Sequence, residues 1–485
     1  MLTLRSLYFF LICCFLVLFG ACQKDPVIYT GFDARLKFST DTLKFDTVFT
    51  NIGSTTQRLM VYNTYDKTLK ISSLRLMGGN NSFFKLNVDG LSASEVSDIE
   101  ILPKDSLFIF VQVLVDPLNQ SNPLSILDSI QFQINGSLQQ VKLQAIGQDV
   151  HYFNNKVLTQ NAEWLADKPY LIYNNLVVDT GKTLTIQPGV KIYMHNNASI
   201  VSVGTLKAMG TKEKPIVIQG DRREKFYQHI PSQWGAIALL APGKGNEIHN
   251  MLIKNATAGI QIGEALNEES TDLTITNTRI VNSGYTGVYA FRANVKAENV
   301  IVADAGYYLV GAFLGGDYKF THCTLYNSAY YMNATSHSLL VSETMAFQDG
   351  ETIYNLKGKI NSFVMQNSII WGTRTNEFEV NSSDNSDVNY LFDYCLLRST
   401  VNMSSAAHFN QMTKYNYGDK LLLLDKQNTD TLSIDSYNFG LDTLSVAKDK
   451  GNVQFSAEVP YDFLGKLRHL NDKAPDLGAI ERYEK

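Results

Sequence analysis

One column of apolar residues most constrains what this chain can become. The segments IHNMLIKN, ITNTRIVN, AENVIVAD, FTHCTLYN, MQNSIIWG and FDYCLLRS align so that Ile253, Ile280, Val302, Leu325, Ile370 and Leu397 share one position, at intervals of 27, 22, 23, 45 and 27 residues. Self-similarity at a period of roughly 20 to 50 residues marks a solenoid, in which each repeat buries its apolar face only by stacking on the next. With the interval of 45 taken as two coils, the second hidden near Phe347, the period is 22 to 23 residues. That length suits three short strands and three turns per coil.

Two polar columns flank the apolar one. Three positions before it stand Asn250, Asn277, Asn299, His322, Asn367 and Tyr394; two positions after it stand Asn255, Asn282, Asp304, Asn327, Gly372 and Ser399. Asparagine tolerates left-handed backbone, and its amide can bond to the same side chain one coil away. The columns therefore predict ladders that fix register, with His322 as a hydrogen-bonding substitute for Asn. Five positions after the apolar column, Tyr285, Tyr307 and Tyr330 occupy successive coils. They form either an internal stack or an exposed stripe on which sugar rings lie. Tyr308 and Tyr331 point the other way in extended chain, so one of the two sets lies outside.

Cysteine usage fits the same frame. Cys323 and Cys395 stand two positions before the apolar column, on its inward face. Counting the coil near Phe347 they are three coils apart, roughly 14 Å at about 4.8 Å per strand, too far for a disulfide. Both are expected as buried free thiols.

Composition narrows the class further. Charged residues make up 18% and the net charge is −5 with no basic run, which excludes nucleic acid as a partner. The 25 Tyr and 26 Phe among many small polar residues favour strands and turns. Residues 31–150 carry six alternating segments, LKFDTVF, LMVYN, LKISSLRL, LFIFVQVLV, SIQFQING and VKLQAIG, with a hairpin signal at Asn135–Gly136. They predict an antiparallel β-sandwich. Residues 155–485 hold the coils.

Resemblances to known families sharpen these expectations. DTVFTNIGSTTQRLMVYN, LKISSLRL and ILPKDSLFIFVQV resemble the immunoglobulin-like domains of the ASPM, SPD-2 and hydin type, which implies a spacer or interaction module. GKTLTIQPGVKIYMHNNASIVSVGTLKAMGTKEKPIVIQG resembles the entry coils of right-handed parallel β-helix proteins of the pectate-lyase-like superfamily. AKDKGN, VPYDFLGKLR and APDLGAIE resemble the closing segment of bacterial surface β-helix proteins of the choice-of-anchor Q type, here residues 440–485. Asp462, Arg468, Asp476 and Glu481 are expected there as paired charges covering the last coil, whose open edge would otherwise invite aggregation.

The N-terminus resembles an export leader. Arg5 precedes 15 apolar residues, Leu7 to Ala21, fewer than the roughly 20 that span a bilayer. Gly20, Ala21 and Cys22 resemble a bacterial lipobox, which implies that residues 1–21 are a signal peptide, that Cys22 is lipidated and that residues 22–30 are a tether. Gln23, Lys24 and Asp25 resemble an export tag for the outer face of the outer membrane. Triplets starting at Asp41, Asp46, Asp105, Asp128, Asp430 and Asp442 resemble an O-glycosylation motif of the same bacterial lineage, and fit strand starts equally well.

Catalytic patterns of β-helix enzymes are sparse. Of the polygalacturonase-like set only Asn428, Thr429 and Asp430 match, and no acidic cluster at coil spacing offers a metal its ligands. The remaining candidates are His322, Arg292 and Asp317, which would serve lyase chemistry as base or uronate neutraliser. The charged insertion GDRREKFYQH before Trp234 reads as a solvated loop. No cofactor is expected. The sequence thus predicts an all-β, lipid-anchored outer-membrane protein, an immunoglobulin-like sandwich followed by a right-handed parallel β-helix. Its β-helix binds polysaccharide or an envelope partner; the alternatives are a lyase or glycoside hydrolase acting on acidic glycans, and a purely structural role.

Overall fold

The structure is a computed structural model that describes residues 27–50, 52–116, 123–224, 226–328, 336–383, 387–415, 421–423, 439–469 and 473–482. The chain divides into two compact units between Asp149 and Val150. The leader, Cys22 and Asn428–Asp430 lie outside the described residues.

The first unit is a sandwich of two five-stranded sheets. Strand Leu69–Leu76 coincides with LKISSLRL, and Leu124–Ile134 pairs with Ser137–Gln148 across the Asn135–Gly136 turn. Asn135 and Gly136 both have positive φ, 45° and 80°, which the twist of a two-residue hairpin requires. Leu59, Val61, Ile109 and Val111 from one sheet pack against Leu69, Ile71, Phe132 and Leu143 from the other, all fully buried. Phe84–Val88 and Glu95–Ile101 are further strands that the alternation did not mark. Asp46, Asp105 and Asp128 accept hydrogen bonds from the next residue's N–H at 2.7–2.8 Å; Asp105 directly precedes strand Ser106–Val113, as a strand start would, whereas Asp46 and Asp128 lie inside strands Thr42–Phe49 and Leu124–Ile134.

The second unit is a parallel β-helix, one continuous sheet that closes into three faces. On the first face the apolar column runs unbroken through Ile253, Ile280, Val302, Leu325, Ile370 and Leu397, and extends backwards through Ile218 and Ile192 to Tyr170. On the second face the inward column is Leu176, Ile200, Ile237, Ile260, Val288, Val310, Leu339 and Phe378. On the third it runs from Ile186 through Ile275 and Phe320 to Phe409. The three columns meet in a single apolar core. On the third face the later coils bring in aromatic rings, Phe320, Phe392 and Phe409.

The interval of 45 residues is one coil, which corrects the expectation of two. Leu325 pairs directly with Ile370, and the extra length forms an antiparallel hairpin, Thr344–Asp349 with Thr352–Lys357, that leaves the coil after Leu339–Ser342. The alternation around Phe347 belongs to that hairpin. Cys323 and Cys395 are consequently two coils apart, roughly 10 Å at the usual strand spacing. Both are buried free thiols, and burial pushes each up to about 12.

The asparagine columns turn the chain between faces. Asn250, Asn277, Asn299, His322, Asn367 and Tyr394 all have φ between 47° and 54°. In the second column only Asn255, Asn282 and Asp304 are left-handed; Asn327, Gly372 and Ser399 are not. Amide-to-amide bonds link successive coils, Asn299 Nδ2 to Asn277 Oδ1 at 3.0 Å and Asn282 Nδ2 to Asn255 Oδ1 at 2.6 Å. His322 takes the same place, accepting at Nε2 from Asn367 Nδ2 at 3.0 Å.

Candidate functional site

The tyrosines of the third column stand on the outside, where the first face turns into the second. Tyr285 and Tyr307 are 37% and 46% exposed, with ring centroids 4.7 Å apart. A backbone bond of 2.6 Å from Tyr307 N to Tyr285 O sets that spacing. Under them lies an outer aromatic cluster. Tyr289 meets Tyr285 edge-on at 5.8 Å and Phe313 at 5.3 Å, and Phe291 stacks on Phe313. Tyr308 is half-buried in the same cluster, 6.1 Å from Phe313, so it does not take the opposite face from Tyr307. Gly311 makes room, since a Cβ there would meet the Phe313 ring at 2.6 Å. Met345 and Leu356 of the hairpin pack on the cluster's far side. Burial holds the Tyr289 phenol above its usual range, keeping it a neutral donor. At the rim His337 Nδ1 meets Glu379 Oε2 at 2.6 Å. Tyr330 and Tyr331 lie outside the described residues.

The insertion before Trp234 is an ordered arm rather than a solvated loop. Asn255 and Asn282 each donate from Nδ2 to it, to the carbonyls of Gln228 at 3.1 Å and His229 at 3.0 Å. The ladder amides thus anchor the arm. Arg222 pairs with Glu224 and lies 3.8 Å above the Tyr227 ring; Arg223 donates to the Tyr193 hydroxyl. Trp234 then returns to the core, fully buried, with Nε1 donating to Lys254 O at 2.8 Å.

The closing segment lies along the first face, flanking several coils instead of covering the last one. Phe439, Phe463, Ala479 and Ile480 pack on the outward side of Val281, Ile301, Ala303 and Tyr326. Strand Ile301–Ala305 is consequently buried at all five residues. Arg468, 2% exposed, forms an ion pair with Glu481 at 3.0 Å and donates to Asn299 Oδ1 at 2.8 Å. Asp462 Oδ2 accepts from Glu481 N at 3.0 Å, and Asp476 accepts from Asp449 N and Arg482 N. The four charged residues of the motif therefore staple the segment to itself and to the ladder.

His322 is buried beneath this segment. Its Nδ1 faces Gly478 O at 3.3 Å and Nε2 faces Ser456 Oγ at 2.7 Å. A carbonyl at one nitrogen and an amide donor at the other fit a neutral imidazole. Burial, then the Arg468 guanidinium, holds it well below its ordinary 6.5. Arg292 sits at φ 47° and donates to Ala265 O at 2.7 Å. Asp317 is exposed on the third face, accepting from Asn361 Nδ2 at 3.3 Å. Among the described residues no hydrogen bond or ion pair joins any two of the three, so the structure does not bring these candidates together. Among the described residues no group of three His, Cys, Asp or Glu side chains converges on a point where a metal would sit.

Comparisons with known proteins bear on the second unit. Residues 156–287 match the family described as a pectate-lyase-like beta helix domain. With the all-parallel coils, this supports the β-helix superfamily and fits a carbohydrate-related function in broad terms. Protein bark beetle of Drosophila melanogaster is 45% identical over 77 residues, 15% of this chain, and the chain spans 2% of that relative's length. Among solved structures, a protein of unknown function from Porphyromonas gingivalis W83 is 12% identical over 26% of this chain and 60% of that one, with a TM-score of 0.17. The ASH / PapD-like domain 7 of human CEP192 is 8% identical over 27% and 94%, also at 0.17.

Proposed function

We propose that this is a lipid-anchored surface protein whose β-helix binds polysaccharide through the Tyr285–Tyr307 corner. The observation that carries the reading is the pair of exposed rings one coil apart, tilted 48° to each other, over a packed aromatic base. Such rings offer flat apolar faces to pyranose rings, with phenol hydroxyls as polar handles, at little entropic cost. The base fixes their orientation before a ligand arrives, which favours affinity. The pectate-lyase-like match agrees with a carbohydrate ligand in kind. Outer-membrane anchoring through Cys22 rests on the leader sequence.

The test uses residues 27–485 with a panel of neutral and uronate polysaccharides, following retention together with release of unsaturated or reducing ends. Retention without turnover is expected. Turnover would move the assignment to a lyase or hydrolase, and absence of retention to a protein partner or structural role. Cys22→Ala is expected to abolish palmitate incorporation in the native host.

A further inference from the structure

The two outer faces of the sandwich differ in charge. Strands of the sheet that holds Leu69–Leu76 carry Asp46, Glu95, Asp98, Glu100 and Asp128 among their cations, and Lys70 pairs with Asp98 at 2.8 Å. The opposite sheet is built from Lys37–Phe38, Gln57–Tyr62, Ser106–Val113, Phe84–Val88 and Leu91–Ser92, and none of these strands contains an Asp or Glu. Leu59, Val61, Ile109 and Val111 point into the core, so alternation turns Arg58, Met60, Tyr62, Phe108 and Phe110 outward. Phe108 and Phe110 are 43% and 38% exposed, with ring centroids 5.2 Å apart. Strand pairing sets three cations around them: Arg58 opposite Phe110, Lys37 opposite Tyr62 and Lys85 opposite Gln112. Lys85 Nζ donates to Ser82 O at 3.3 Å, and among the described residues no side-chain hydrogen bond or ion pair engages Lys37 or Arg58. Asp89 and Asp105 lie in the turns beyond the strand ends.

We propose that this face lies against a membrane with anionic phosphate headgroups, its cations on the phosphates and its aromatic centre in the headgroup layer. An apolar centre inside a wholly cationic rim matches such a surface in both polarity and sign. The choice of a membrane over a soluble polyanion rests on the lipid anchor proposed at Cys22. The chain enters the sandwich at the end of this sheet where Lys37 and Tyr62 pair. There Val27 O accepts from Thr68 N at 3.1 Å, and Asn63, next to Tyr62, donates from Nδ2 to Lys67 O at 2.8 Å. Cys22 precedes Val27 by five residues, at most about 18 Å of extended chain. The lipid would hold the chain at the membrane, and this face would set how the sandwich lies on it.

The experiment sediments the 27–485 protein, which lacks Cys22, with phosphatidylcholine vesicles made with and without phosphatidylglycerol, at low and high salt. Binding is expected on the anionic vesicles alone, weakening as salt rises. A combined Lys37→Gln, Arg58→Gln, Lys85→Gln variant should lose about a hundredfold in vesicle partitioning, and Phe108→Ser with Phe110→Ser about tenfold or more. Removing the same charge from the other face, by Lys44→Gln, Arg75→Gln and Lys142→Gln, should leave binding at the wild-type level. Melting of each variant confirms the fold, and the glutamine variants alter only exposed side chains. No association with anionic vesicles, equal association with phosphatidylcholine alone, or equal losses from the two glutamine variants would overturn the proposal. Failure of lipidation at Cys22 would leave the binding of this shorter protein untouched, so the two readings fail separately.

Discussion

The flank under the closing segment and the corner bearing the tyrosines arise from the same repeat, yet they end up opposite in character. On the flank the outward residues are mostly small or aliphatic, Ile301, Ala303 and Val281 beside one tyrosine, Tyr326, and the closing segment returns to cover them all. On the corner the outward residues are tyrosines with polar tips, and two of them remain in solvent. The difference teaches that a parallel strand is buried on both faces only when something in the chain is built to cover it. Where nothing covers it, amphipathic rings can stay outside at little cost. Charge follows the same division. The flank holds its charges dry and paired, Arg468 with Glu481, while the corner holds the Glu379 carboxylate part-exposed beside the His337 ring.

The sharpest way to break the comparison is to remove the buried cation. Arg468→Ala leaves Glu481 buried without its partner and strips Asn299 of a donor; a loss of about 3–5 kcal/mol is expected in denaturant unfolding of the second unit. An Ile280→Ala cavity in the common core should cost about 2–5 kcal/mol, irrespective of either surface. Acid titration separates the groups on the flank. His322 has a folded pKa below 6.5, so the unfolded chain binds more protons between that folded value and 6.5, and stability falls as pH drops through this window. Asp476 and Glu481 are raised by burial above 3.8 and 4.5, so they act in the opposite sense, favouring the fold as pH falls through their raised values. His322→Asn restores the ladder residue and should flatten the acid-side loss just below 6.5; an unchanged pH profile would show that the loss arises elsewhere. On the corner, Tyr285→Ala or Tyr307→Ala alone should change stability by less than about 1 kcal/mol, since exposed positions contribute little.

Much of the second unit was legible in the sequence because its physics is periodic. The apolar column, the left-handed asparagines and the inward cysteines follow from one repeat, and each recurs where coil spacing demands. The 45-residue interval misled because a hairpin insertion alternates apolar and polar residues as a coil does; Phe347 and Tyr354 stack across it. The closing segment's position was hidden because its partners, Asn299, His322 and Thr324, lie more than 120 residues upstream. The signal was present in the unbroken burial implied by IVADA, a strand with no polar face except one aspartate. Tyr285 and Tyr307 were placed in one column by sequence, but inside and outside differ only by which neighbours the fold supplies.

If the tyrosine corner binds while the covered flank holds the fold together, a combined Tyr285→Ala, Tyr307→Ala variant should separate the two. Polysaccharide retention and thermal melting are measured on one sample. Retention should be lost while the melting transition stays where it was. Retention at the wild-type level, or collapse of the transition, would contradict it.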